Sequence, residues 1–227
     1  MKTQIVIFNF KWIYYIQFSL FFIVLGSAWS IYYGRGHYKK YDFIPTISET
    51  VYFYPENRIF GVGMVINTML NACIFIFRSH IFDILVIKKN EGNWTAMKVI
   101  LNILAATVFV SMCLVANVTV VYNRDIHMVV AFTFFASACL YHVLSDIFLS
   151  ILGRRPSYFS IITTIVGSIV IIIGPYIRAY MENPSNSLKT ISSFCQYTSS
   201  FCITLKMFLT QFDFPKHGIR FREKNNE

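Results

Sequence analysis

The sequence predicts an all-α membrane protein, a bundle of six transmembrane helices with both termini in the cytosol and its longest loop on the lumenal or extracellular side. Of the 227 residues, 56% are hydrophobic and only 14% are charged, against about 25% charged in a usual globular domain. The apolar residues gather into runs of about twenty, the length that a helix needs to cross a bilayer. Lysine and arginine flank these runs, as they do in membrane proteins.

Six spans can be drawn over one membrane domain, residues 1–227, and a basic cytosolic tail is expected at residues 213–227. The first apolar run is longer than the roughly 7–15 apolar residues of a secretory signal, so we expect it to remain as a helix. The predicted spans are Trp12 to Tyr33, Ile59 to Phe77, Val99 to Tyr122, Met128 to Leu152, Phe159 to Met181, and Ile191 to Phe212.

The distribution of basic residues predicts the orientation of these spans. The side that holds the two ends and the second and fourth connections carries twelve Lys and Arg residues, Arg78 among them, and the other side carries seven. Because cytosolic loops are richer in basic residues, we place both ends in the cytosol. An even number of spans requires the ends to share a side.

Composition and motifs exclude several classes of function. The net charge of +9 is not gathered on one face with interleaved aromatics, so we expect no nucleic-acid partner and take membrane lipids as the contacts of the basic flanks. All five cysteines fall inside the predicted spans, which argues against a disulfide framework. Since no metal-ligand spacing and no catalytic motif is present, we expect no metal, no cofactor and no catalytic residue.

Polar side chains in or at the ends of the spans are the first candidate functional residues, because such groups are costly in lipid. Asp146 and Lys206 each stand six residues before the end of a span, about 9 Å below the same boundary. They either form an ion pair or reach the interface separately, and separate snorkelling is the default near helix ends. The whole set is Asn117, His127, His142, Asp146, Gln196, Lys206 and Asp213.

Two histidines lie on the same predicted span. His127 and His142 are fifteen residues apart, which places them on nearly the same side of a helix and about 22 Å from each other. That distance is too large for both to act on one substrate atom. We therefore expect His142 to form a structural hydrogen bond between helices, and we expect the same of Asn117 and Gln196.

The first connection, Gly34 to Arg58, is the longest polar stretch of the chain. Its two prolines, Pro45 and Pro55, stiffen the backbone, and its aromatic residues are typical of a membrane interface. We predict a lid on the lumenal surface, with a solvated linker as the alternative. Ion pairs of Glu49, Glu56 and Arg58 would hold this lid, and its motif residues are Pro45, Ser48, Glu49, Pro55, Glu56 and Arg58.

The same loop carries a family resemblance. Pro45-Thr46-Ile47-Ser48-Glu49, then Pro55-Glu56, then Phe60-Gly61 resembles the lumenal signature of the DRAM/Frag/Sfk superfamily, the six-span domain also found at the amino end of Cwh proteins. Each motif is short, but their order and spacing together are specific.

Two later motifs extend the resemblance over nearly the whole chain. Val115-Ala116-Asn117 with His127 ten residues later looks like the family pattern around the third and fourth spans. Gln196-Tyr197-Thr198 followed by Asp213-Phe214 is similar to the family's closing motif. The family usually has a glutamate where this chain has Gln196, and the amide keeps the hydrogen-bonding shape without the charge.

The resemblance implies a multi-pass membrane regulator or adaptor without evident catalysis. It is similar to the DRAM-like autophagy modulators of lysosomal membranes and to the fasting-inducible transmembrane proteins, which implies an endolysosomal or plasma membrane location and other membrane proteins as partners. The alternative branch resembles post-GPI-attachment factors, which implies remodelling of GPI-anchor lipid in the endoplasmic reticulum or Golgi. A transporter is disfavoured because no inverted repeat is detectable.

Overall fold

The computed structural model describes residues 7–8, 11–89, 94–118, 122–180, 184–213 and 219–220, and these residues are mostly helical. Two strands, β1 and β2, pair antiparallel, with Ile7 opposite Arg220 and Phe8 opposite Ile219. The described elements, in chain order, are β1 (Ile7–Phe8), α1 (Lys11–Gly34), a 3-10 turn (His37–Lys40), α2 (Ile47–Thr50), α3 (Glu56–Lys89), α4 (Thr95–Asn117), α5 (Arg124–Ile151), α6 (Tyr158–Tyr180), α7 (Asn186–Leu209), a second 3-10 turn (Thr210–Phe212) and β2 (Ile219–Arg220).

Each predicted span falls on one long helix, and the helical class of the fold is confirmed. By length and composition, four helices are able to cross a membrane: α1, α3 as far as Ile87, α4 and α5. α6 contains the apolar helical stretch Tyr158–Gly174, and α7 does not meet the same criteria. Six crossings therefore stay a prediction, as does the side of the membrane on which each end lies.

The two largest differences from the predicted span ends are at the ends of α3 and α4. α3 has 34 residues, a length of about 51 Å, and continues twelve residues past the predicted end at Phe77 because Arg78 is buried in the bundle instead of lying in a loop. α4 ends at Asn117, and part of its predicted continuation to Tyr122 lies outside the described residues. The predicted tail, residues 213–227, also falls mostly outside them.

The described bundle is apolar on its outside and partly polar inside. Ile172 is 71% exposed and Val129 is 66% exposed, whereas Gln17, Arg78 and Lys206 are each 1% exposed or less. A water-soluble protein shows the opposite distribution. This arrangement, with polar side chains joining helices inside an apolar shell, is that of an integral membrane protein.

The six long helices form a closed ring in chain order. α1 lies between α3 and α7, and from α3 each long helix packs on the next along the chain. Small residues allow the closest approaches. A Cβ atom on Gly63 of α3 would lie 2.2 Å from a methyl carbon of Val24 on α1, and one on Gly174 of α6 would lie 2.9 Å from the Cβ of Cys195 on α7.

The two ends of the bundle differ, and each has its own apolar cluster. We call the end that holds α2 the lid end and the end that holds β1 and β2 the tail end. At the lid end Phe21, Val24, Phe60, Met64 and Met112 pack beneath α2. Towards the tail end the cluster includes Tyr14, Phe75, Phe82, Phe148 and Met207. A mainly apolar cavity with polar side chains at its two ends runs from one cluster to the other.

Candidate functional site: a lidded cavity

The lid, residues 35–55 between α1 and α3, has the single helical turn α2 at its centre. The side chain of Thr46 accepts a hydrogen bond from the backbone N–H of Glu49 at 3.2 Å, and the Glu49 carboxylate accepts one from the Thr46 N–H at 2.7 Å. This reciprocal capping satisfies N–H groups at the start of the turn. The Thr-x-x-Glu sequence is thus a local signal for a helix start, and Glu49 stabilises the lid because it caps the helical turn α2.

Polar contacts dock this turn onto α7. The backbone N–H of Ile47 donates to the side-chain oxygen of Gln196 at 2.8 Å. One residue further along α7, the hydroxyl of Tyr197 donates to the carbonyl of Pro45 at 3.2 Å. Gln196 therefore bonds the lid, whereas the sequence predicted a cross-link between neighbouring helices.

A third contact docks the turn onto α5. The hydroxyl of Ser48 lies 2.9 Å from Nε2 of His127, and Nδ1 of the same ring lies 2.6 Å from the carbonyl oxygen of Val118. Because a carbonyl can only accept, Nδ1 carries the hydrogen, and Nε2 of the neutral ring accepts from Ser48. The chain Ser48–His127–Val118 connects the lid to α5 and to the end of α4.

The predicted ion pairs of the lid are only partly right. Glu56, at the start of α3, is fully buried and pairs with His37 at 2.7 Å, not with Arg58. Arg58 is exposed on the same helix. Pro55 lies just before Glu56, and its carbonyl accepts from the backbone N–H of Arg58 at 3.0 Å. His37 was not among the predicted residues.

Beneath the lid, a partly open cavity extends into the bundle. Its described walls come from the lid and from five helices, α1, α3, α4, α5 and α7. At the mouth it is lined by Ser48, Asn57, His127 and Gln196, and at the deep end by Gln17, Asn71, His142 and Met207. Between these ends the walls are mainly apolar, as is usual for ligand cavities; they include Phe21, Phe60, Met64, Met112, Phe134 and Phe135.

Several residues that line the cavity have a buried polar atom without a hydrogen-bond partner among the described residues. These atoms are the side-chain oxygens of Gln17, Asn57, Asn67 and Asn71, and Nδ1 of His142. Gln17, Asn67 and His142 are each 2% exposed or less. The structural hydrogen bond predicted for His142 is therefore not formed by Nδ1. Since nearly all buried polar atoms in proteins are paired, such a group calls for an explanation.

Closer to the tail end, two ion pairs lie in the interior of the bundle. The Nζ atom of Lys206 is 2.6 and 2.7 Å from the carboxylate oxygens of Asp146, so the structure has the pair and not two separate snorkelling side chains. Nζ also donates to Ser160.

The second pair joins Arg78 to Asp213 at 3.5 Å, and Arg78 also donates to Ser145. Arg78 had been counted as a cytosolic loop residue. Without it the count of basic residues becomes eleven against seven, which leaves the predicted orientation unchanged. Burial raises the pKa of Asp213 and outweighs the opposing effect of the nearby Arg78 guanidinium.

The structure brings the predicted residues into two groups. Pro45, Ser48, His127 and Gln196 meet at the lid, and Asp146, Lys206 and Asp213 join the buried charge network. Asn117 belongs to neither group, because it is exposed and its amide nitrogen donates to the carbonyl of Cys113 on its own helix at 2.7 Å.

Sequence reasoning missed Gln17, Asn67, Asn71 and Arg78. The four-residue spacing of Asn67 and Asn71 inside an apolar run was the available signal, since it places both amides on one helix face. Gln17 lies in an apolar run of its own, and Arg78 follows the last residue of the second predicted span.

Comparisons with known proteins give one match. The family model described as the Frag1/DRAM/Sfk1/Cwh43P N-terminal domain matches residues 9–217. No curated protein and no solved structure matches the chain. The matched range includes the lid, all of the cavity walls and both ion pairs.

Proposed function

Because the chain belongs to the Frag1/DRAM/Sfk1/Cwh43P N-terminal domain family, we propose that it is a multi-pass membrane regulator or adaptor of the DRAM-like kind. In this proposal it crosses the membrane six times, keeps both termini in the cytosol and performs no catalysis. Its lid faces the lumen or the extracellular space, in an endolysosomal or plasma membrane. Its partners are membrane lipids and other membrane proteins.

The docking of the lid turn onto two different helices is the observation that supports this proposal. Ile47 is bonded to α7 through Gln196, and Ser48 is bonded to α5 through His127. Both helices also line the cavity. In this proposal a movement of the lid shifts α5 and α7, and with them the cavity walls.

Complementation of a null cell line tests the regulator proposal. Deletion of residues 42–56, most of the lid and the first residue of α3, is expected to leave membrane insertion intact and to abolish function. Ser48→Ala removes one docking contact and is expected to weaken function. Ser30→Ala is a matched control, because among the described residues the hydroxyl of Ser30 bonds within α1, to the carbonyl of Gly26. A lid deletion that restores function to the null cells would contradict the proposal.

A second candidate function is the remodelling of GPI-anchor lipid in the endoplasmic reticulum or Golgi. The observation in its favour is the hydrogen bond from the Ser48 hydroxyl to His127 at the mouth of the cavity. A serine paired with a histidine base is the usual form of an activated oxygen nucleophile.

In this alternative Ser48 Oγ attacks the carbonyl carbon of an acyl ester while His127 Nε2 takes the hydroxyl proton. The bond to the lipid alcohol breaks, the proton passes to that leaving alcohol, and an acyl-Ser48 ester remains. The hydroxyl of an acceptor lipid then takes the acyl group while its proton returns to Ser48 through His127.

Mass spectrometry of GPI-anchor acyl chains in knockout cells, together with imaging of the tagged protein, separates the two functions. Unchanged anchors with an endolysosomal or surface signal favour the regulator. Altered anchors with a Golgi or endoplasmic reticulum signal favour remodelling. In the second case Ser48→Ala must fail to restore the anchors while Ser30→Ala restores them.

A further inference from the structure

We propose that the cavity binds one molecule of an uncharged lipid alcohol. The apolar body of this ligand lies along the aromatic and aliphatic walls, and its hydroxyl group donates its one hydrogen to an amide oxygen at the deep end, that of Asn71 or Gln17. The inference deepens the proposed function, since it names what the lid covers. It rests on the cavity itself and is tested by direct binding.

The shape of the cavity favours a long, narrow ligand. On α5 its lining runs from His127 to His142, and these fifteen residues correspond to about 22 Å along the helix axis. A single lipid chain or a fused-ring lipid has this form.

The unpartnered atoms define where the polar group of the ligand lies. Asn71 is fourteen residues from Asn57 along α3, so its amide is about 21 Å below the mouth. Gln17 on α1 and His142 on α5 border the same deep end. The unpartnered amide atoms there are oxygens, and oxygens of this kind need a donor. A hydroxyl group that reaches this depth supplies it.

The charges near the cavity exclude an ionised head group. No Asp, Glu, Lys or Arg is among the described residues that line the cavity. The buried charges towards the tail end already pair with each other, Lys206 with Asp146 and Arg78 with Asp213. A carboxylate, phosphate or ammonium at the deep end would thus be buried without a counter-ion, which is costly. The donor is therefore neutral.

Matched ligand pairs test the inference on the unmodified protein. The full-length chain is purified in detergent, and binding of radiolabelled cholesterol is measured in competition with cholesterol methyl ether, oleyl alcohol, oleyl methyl ether and oleate. We expect an alcohol to compete about 3- to 10-fold better than its own methyl ether, the ratio for one lost hydrogen bond, and oleate to compete poorly.

The competition also identifies the source of the hydroxyl. Strong competition by cholesterol alone supports a sterol, and strong competition by oleyl alcohol, with cholesterol itself weak, supports an acyl-chain alcohol. Equal competition by alcohol and ether would mean that the deep amides hold only water, and it would overturn the inference. Absence of binding by both alcohols would also overturn it.

Asn71→Leu provides an independent readout with Asn117→Leu as its matched control. The leucine removes the buried acceptor, so alcohol binding should weaken 3- to 10-fold, while the melting temperature without ligand should rise because an unpaired polar group has gone. Asn117 is exposed and outside the cavity, so its substitution should leave binding unchanged. Unchanged alcohol binding by Asn71→Leu would contradict the inference.

Gln17→Met serves the same purpose on α1 if Asn71→Leu does not fold, since it keeps the side-chain length and removes the amide. The experiments can disprove the regulator proposal and the binding proposal independently of each other. Equal binding of alcohol and ether, with loss of complementation on lid deletion, would leave the regulator role in place. A preference for alcohols, with full complementation by the lid deletion, would remove the regulator role and leave the binding site.

Discussion

At the scale of single residues, the buried charges decide how the tail end of the bundle holds together. Lys206 and Arg78 are each 1% exposed or less, and each has a carboxylate partner from another part of the chain. An isolated charge in this interior would be strongly destabilising, whereas a paired one is tolerated. Asp146 and Asp213 are thus required because the two cations are buried.

Removal of one member of an ion pair should therefore cost more than removal of both. We expect Lys206→Met to lower the free energy of unfolding by about 3–5 kcal/mol, because Asp146 is then left without its partner. The double variant Lys206→Met/Asp146→Leu should regain most of this loss. Thermal unfolding in detergent, followed by tryptophan fluorescence, measures both.

Lys39→Met is the control for loss of a lysine, because Lys39 is exposed in the loop between α1 and α2. It should change the melting temperature little. If the double variant is no more stable than the single one, Lys206 and Asp146 do not act as a pair.

At the scale of elements, the lid and the glycine contacts show how short sequence features position whole helices. The turn α2 has only four residues and is too short to be stable alone. Its capping box and its hydrogen bonds to α5 and α7 hold it in place. Gly63 similarly determines how closely α1 approaches α3.

Loss of the Gln196 contact should loosen the lid without unfolding the bundle. Gln196→Leu leaves the Ile47 N–H without its acceptor, and we expect hydrogen exchange of that amide to become about 3- to 10-fold faster, as for one lost hydrogen bond. Exchange measured by mass spectrometry on lid peptides detects the change. Gln211→Leu, a substitution of the same type near the tail end, should not affect these peptides.

Addition of a single methyl group at Gly63 should force α1 and α3 apart. Gly63→Ala places a carbon 2.2 Å from a methyl group of Val24, and overpacking of this kind costs about 1–3 kcal/mol. Val24→Ala in the same chain should restore stability. Gly26→Ala on α1 is the control, since its new Cβ would meet nothing within 4 Å. Equal melting temperatures for Gly63→Ala and Gly26→Ala would contradict this account.

At the scale of the whole molecule, the sequence predicted the helices well and the cavity not at all. Apolar runs revealed the long helices because length and hydrophobicity are local properties. The cavity depends on which faces of five helices meet, and no local property determines that. The sequence predicted a loop position for Arg78 for the same reason. A charged residue at the end of an apolar run usually marks the start of a loop, and the partner Asp213 is recognised only in the folded chain.

Some features of the site were nevertheless visible in the sequence. The prolines and aromatics of the connection from Gly34 to Arg58 predicted a lid, and the equal depth of Asp146 and Lys206 made their pairing one of two alternatives. His142 was predicted to be structural, whereas its Nδ1 lines the cavity unpaired. The contact between Gln196 and Ile47 joins residues 149 positions apart, which only the folded chain could reveal.

The predicted orientation can be tested on the intact protein. Epitope tags at the amino and carboxyl ends should both become accessible to antibody only after the cytosolic side of the membrane is opened. A tag inserted between Tyr38 and Lys39 in the loop should instead be accessible from the opposite side. End tags that face opposite sides of the membrane would exclude six spans.

The helix α6 stands apart from the rest, because it packs on α5 and α7 and contributes none of the described residues that line the cavity. Its outward face includes Ile172, which is 71% exposed. A fluorescent probe attached there would report on conformational changes of the protein in cell membranes without contacting the cavity ligand or the lid. The exposed face of α6 is therefore a suitable position for a label that reports on the protein in its membrane.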